Sequence, residues 1–154
     1  MRKDYGIEAD YYRHGIELGI LSFDQAISWA DRIIEVEEDP AAEIIELALS
    51  SPRERNGVLE ALGEIKGMRK PHVAGAMLLR DLYGRLKEGE SIKLIAREAL
   101  NVAWATKLPE EIRWEFDHID DDISLAEQGI YSDLEGCERE LEKLLAKYMF
   151  NEKT

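Results

Sequence analysis

The chain has 154 residues, with 33 Asp and Glu against 20 Lys and Arg and a formal net charge of −13. Polyanions are held by Lys and Arg that displace counterions, so this balance excludes a general nucleic-acid binder. Hydrophobic residues make up 45%, enough for an apolar core, and one cysteine, Cys137, allows no internal disulfide.

The N-terminal residues Arg2, Lys3 and Asp4 are charged, and no run approaches the ~18 apolar residues of a membrane span. Length and composition therefore predict one cytoplasmic domain over residues 1–154, with no membrane contact.

Helix signals follow one another along the whole chain. The first segment, 4–18, runs toward Gly19. Ser22-Phe23-Asp24-Gln25 reads as a capping box opening a helix over 23–38, where Phe23, Ile27, Ala30 and Ile34 share one face and Ala26, Trp29 and Ile33 widen it. Asp39-Pro40 opens a third segment over 40–50, and the box Ser51-Pro52-Arg53-Glu54 opens a fourth over 52–66 that ends at Gly67.

Pro71 starts a fifth segment, 71–88, which is apolar nearly all round at 73–79 and carries Gly75 and Ala76 for close helix crossing. A sixth lies at 92–107 after Gly89. The seventh, 109–128, puts Ile112, Phe116, Ile119, Ile123 and Ala126 on one stripe before Gly129. Ser132-Asp133-Leu134-Glu135 opens the eighth, 133–149. No stretch alternates with period two, so the class is all-α, a compact bundle or irregular array of about eight helices. Residues 39–67 read as a helical hairpin, which leaves HEAT-like stacking open.

Charge is unevenly placed. Residues 1–40 hold 10 acids and 4 bases, residues 41–108 hold 9 and 11, and residues 109–154 hold 14 and 5. The basic residues of the middle, among them Arg53, Arg55, Lys66, Arg69, Lys70, Arg80, Arg85 and Lys87, are expected to pair with the acidic ends. The seventh segment is the most acidic: Glu110, Glu111, Glu115, Asp117, Asp120, Asp121, Asp122 and Glu127 face one base, Arg113. Glu110 and Glu111 suit the helix N-terminus, but the triplet Asp120-Asp121-Asp122 gains nothing from propensity or from the dipole.

Such a face can be solvated surface, or it can steer a basic partner. Trp114 lies off the apolar stripe and Tyr131 follows close behind, and aromatics beside a charged rim anchor protein interfaces. The predicted partner-binding set is Glu110, Glu111, Trp114, Glu115, Asp117, Asp120, Asp121, Asp122 and Tyr131. Trp104 is left open between core and interface.

Catalytic patterns are weak. His118 and Asp122, with Asp117 and Asp121, are i,i+4 pairs that would suit a metal-dependent hydrolase, but there is no calcium-loop pattern and no second cluster. Glu35-x-x-Glu38 and Glu43-x-x-Glu46 have the spacing of the magnesium-binding pairs in all-helical pyrophosphohydrolases, though on consecutive short segments. Cys137 sits among Glu135, Glu138 and Glu140, which disfavour a thiolate. His14, His72 and His118 fall on separate segments. The expectation is no enzyme, no cofactor and no metal.

Residues Gly19-Ile20-Leu21-Ser22 and Ala26-Ile27-Ser28-Trp29-Ala30-Asp31-Arg32-Ile33-Ile34 resemble the small all-helical immunity proteins encoded beside bacterial polymorphic toxins. The resemblance implies buried Trp29 and isoleucines, with Asp31 capping or pairing. It also implies a cytoplasmic protein that binds a toxin and blocks its active site, with an acidic surface where the toxin is a basic nuclease. No binding residue transfers, because such proteins vary most where they meet the toxin. The leading expectation is therefore an inhibitor of a basic toxin. A helical-repeat adaptor holding a peptide or protein partner is the alternative, and homodimerisation stays open.

Overall fold

A computed structural model describes residues 3–50, 55–130 and 133–149. Among them it contains eight helices and no strands: α1 (Gly6–Glu17), α2 (Phe23–Val36), α3 (Ala42–Ala48), α4 (Arg55–Glu64), α5 (Pro71–Lys87), α6 (Ile92–Ala105), α7 (Glu110–Glu127) and α8 (Leu134–Tyr148). The all-α class read from periodicity is the observed one. Among the described residues no helix is long and apolar enough to cross a membrane.

Most helix ends obey the local chemistry. The Ser22 hydroxyl accepts from the Gln25 amide, and the Gln25 side chain accepts from the Ser22 amide, completing the predicted box. Asp133, rather than Ser132, is the N-cap of α8 and accepts from the Gly136 amide. Ser132 and the box at 51–54 lie outside the described residues. Pro71 is the first residue of α5, whereas Pro109 is the N-cap of α7 and Pro40 precedes the N-cap Ala41 of α3. Gly19, Gly67, Gly89 and Gly129 all take positive φ.

By contacts the chain forms two compact units, Met1–Lys70 and Pro71–Thr154. In the first, α4 packs on α1, α2 and α3, and α2 packs on α3. The α2 stripe is rotated from its expected centre: Ala26, Trp29, Ala30 and Ile33 are buried, while Phe23, Ile27 and Ile34 are only half-buried. Trp29 meets Tyr5 edge to face and lies tilted against Tyr12, and its indole N–H donates to Glu8 at 2.9 Å. Asp31 is exposed.

The last residues of this unit are bound to its first. Asp4 accepts from the amides of Gly6 and Met68, and these backbone bonds hold its carboxyl below the ordinary carboxylate range. Gly6 touches the Gly67–Met68 backbone so closely that a Cβ would overlap it. Arg69 donates to Asp10 at 2.9 Å and to the carbonyls of Leu62 and Ile65, so one guanidinium closes the open end of α4 and ties it to α1.

In the second unit α5, α6, α7 and α8 make a closed ring of neighbours, a four-helix bundle with Leu78, Leu82, Ile95, Val102, Phe116, Ile123, Leu141 and Leu145 buried inside. Gly75 allows the expected close crossing, because a Cβ there would overlap Thr106 Oγ1, which donates to Val102 O at 2.7 Å. Gly75→Ala is expected to cost about 1–3 kcal/mol of stability by overpacking. Gly84→Ala, with open space at the same helix's surface, should instead gain up to ~1 kcal/mol from helix propensity. Urea midpoints of the two variants should move in opposite directions, and a shift of the same sign would refute this packing account.

Candidate functional site

The site is built on α7, which packs between α6 and α8. A helix turns about 100° per residue, so its side chains sort into three faces. The inner face is the predicted stripe: Ile112, Phe116, Ile119 and Ile123 are buried, and Ala126 at its end is half-buried. Glu110, Trp114, Asp117 and Asp121 are spaced i, i+4, i+7 and i+11 and share the outer face, where all four are exposed. Trp114 is 65% exposed, although it is among the largest apolar side chains in the protein.

The flanks of α7 are paired. Toward α6, Asp120 meets Arg97 at 3.0 Å and Glu127 meets Lys93 at 3.2 Å. Toward α8, Glu115 lies 3.9 Å from Lys147. His118 and Asp122 approach to 3.5 Å along the helix. The Lys147 ammonium is held above its ordinary value, first by Tyr148 and then by the Glu115 charge. Elsewhere Lys87 pairs with Glu142 and Arg69 with Asp10, each a middle base with an acid of one chain end as expected, whereas Arg85 meets Glu98 of the middle segment itself at 3.8 Å. Among the described residues Glu110, Glu111, Asp117 and Asp121 have no ion-pair partner.

The predicted docking set is thereby divided. Glu110, Glu111, Trp114, Asp117 and Asp121 stand together at the surface, and Glu115 and Asp122 sit on the α8 side, half-buried. Asp120 is a correction: it is only 5% exposed and is covered by Arg97, so it serves the α6–α7 contact rather than an outer face. Its place four residues after Phe116 turns it inward. Tyr131 lies outside the described residues.

Two neighbours of the stripe were not assigned to it from sequence. The Arg113 guanidinium lies 4.3 Å from the ring centroid of Trp104, on α6, and Trp104 is 60% exposed. On the other side, Trp114 stacks on His118 with centroids 5.6 Å apart. There a groove of about 360 Å³ runs between α7 and α8, lined by Trp114, Glu115, His118, Glu140, Lys143 and Lys147. The legible signals were Arg113 as the one base of an acidic helix and Trp104 as an unplaced tryptophan.

Among the described residues no three His, Cys, Asp or Glu side chains are placed to share a metal ion. His118 and Asp122 pair with each other, while Asp117 and Asp121 point away on the outer face. Cys137 is buried on α8. The chain matches no protein-family model, no curated protein and no solved structure.

Proposed function

We propose that this all-α protein is a binding protein that neutralises a basic protein partner, as an immunity protein or inhibitor of a basic bacterial toxin would. The observation that carries this reading is the outer face of α7. Three carboxylates, Glu110, Asp117 and Asp121, stand there without partners among the described residues around a tryptophan that is 65% exposed. Elsewhere on α7 the carboxylates toward α6 are neutralised by Lys93 and Arg97. Unpaired carboxylates attract Lys and Arg of a partner and speed its approach. The indole supplies apolar area that is lost to water on contact. In mechanism, the carboxylates compete with an anionic substrate for the partner's basic side chains.

The test is a titration against the product of the neighbouring gene, which this reading expects to be a basic protein that binds the chain. Reversing Glu110, Asp117 and Asp121 together to lysine is expected to weaken binding by ~100-fold, about 2.7 kcal/mol, and to remove most of its dependence on salt. An affinity unchanged by the triple reversal would refute the docking role of α7.

A further inference from the structure

We infer that the docking surface continues from α7 onto α6, with Trp104 as a second anchor that Arg113 holds in position, and that it fits a basic protein surface carrying an apolar patch. This rests on the reading of α7 above and extends it to residues outside that stripe.

Several features meet at the α6–α7 corner. Trp104 and Trp114 are the two exposed tryptophans of the described residues, at 60% and 65%, and Arg113, which lies over the Trp104 ring, directly precedes Trp114 in the chain. Arg113 has Glu110 three residues before it and Asp117 four after it, both within helical reach. Yet its guanidinium lies over the Trp104 ring, and its buried Nε has no hydrogen-bond partner among the described residues. A cation that stacks on an exposed ring fixes the plane of that ring. The consequence for the acids is direct, since Glu110 and Asp117 remain uncompensated.

The backbone under Trp104 is fixed as well. The amide of Leu108 donates to Ala103 O at 3.0 Å and that of Lys107 to Trp104 O at 3.3 Å, closing α6 in a Schellman motif. Lys107 takes the left-handed position at φ 55. An aromatic held this way loses little conformational freedom on binding, which is what an interface anchor requires. Along α6 the outward positions Leu94, Arg97, Asn101 and Trp104 are exposed, so an apolar residue stands at each end of that face.

The charge selects the occupant. A chain of net charge −13 with unpaired carboxylates around Trp114 repels a second copy of itself and repels nucleic acid. Lys and Arg around an apolar patch answer both features.

Two labelled 14-residue peptides serve as probes, one of leucine and lysine at amphipathic helical spacing and one with every leucine replaced by serine at the same charge. Fluorescence anisotropy with the full chain is expected to show at least tenfold tighter binding of the leucine peptide. Trp104→Ala should remove most of that preference while leaving the serine peptide unaffected. Arg113→Met should reduce the preference severalfold, and Arg113→Lys should restore part of it, because a cation over the ring is retained. Circular dichroism controls for folding.

Equal binding of both peptides, no binding of the leucine peptide, or a preference untouched by Trp104→Ala overturns the inference. A dimer that Trp104→Ala dissolves also overturns it, in favour of self-association. The α7 reading fails separately, if the lysine reversals at Glu110, Asp117 and Asp121 leave binding of both peptides unchanged.

Discussion

Replacing Arg69 by methionine is expected to cost the first unit about 3–5 kcal/mol, the range for removing one member of a buried ion pair. The Asp10 side chain is 9% exposed and its counter-ion is Arg69 Nη1 at 2.9 Å. Methionine fills much of the same space but leaves that carboxylate buried and alone. It also withdraws the donors that Arg69 gives to Leu62 O and Ile65 O at the end of α4. Urea denaturation followed by hydrogen exchange in α1 and α4 measures the loss. In the double variant Asp10→Asn with Arg69→Met the loss should be well below the sum of the single losses, because the stranded charge is gone. A loss under ~1 kcal/mol for Arg69→Met would mean that solvent reaches Asp10 freely.

The second large effect separates fold from docking on a single helix. Asp120→Lys is expected to destabilise the four-helix bundle by about 3 kcal/mol or more, since it puts a cation into a 5%-exposed position against Arg97. Asp121→Lys, one residue on, should change stability by less than ~0.5 kcal/mol. It also relieves the i,i+4 repulsion from Asp117. Thermal unfolding monitored by far-UV circular dichroism decides between them. Equal shifts for the two variants would show that Asp120 is solvated like its neighbour. A binding experiment on this face should therefore reverse Asp117 and Asp121 and leave Asp120 intact.

The contrast between those two aspartates shows how far the sequence could be read. Periodicity located α7 and its inner stripe correctly, because Ile112, Phe116, Ile119 and Ile123 repeat at the helical period and that period is local. Capping chemistry is local too, and Ser22 with Gln25 folds as its spacing requires. Three consecutive aspartates, however, look alike in a list of letters. What distinguishes Asp120 is Arg97, on another helix and 23 positions away, and the register of two packed helices is set by the whole core. Asp10 and Arg69 make the same point across 59 positions.

The centre of the α2 stripe differs from the expected one for a related reason. Phe23, Ile27 and Ile34 are apolar, but the axis of burial is set by where α1, α3 and α4 cover the helix, and Ala26, Trp29, Ala30 and Ile33 occupy it. Exposure of Trp114 could be read from its place off the α7 stripe. Exposure of Trp104 could not, since α6 is apolar over much of its length and only the packed bundle shows which side faces water.

The latch of Asp4, Gly6, Met68 and Arg69 also tells an experimenter where the polypeptide can be divided. Residues 65–70 look like a connecting strand of chain between α4 and α5, the usual choice for a cut. Yet Met68 and Arg69 are fastened to Asp4 and Asp10, so a fragment stopping at residue 66 would lose the fastening of its own N-terminus. Pro71 already begins α5. The boundary between the two units falls between Lys70 and Pro71, and any fragment meant to keep this fastening has to carry its sequence through Arg69.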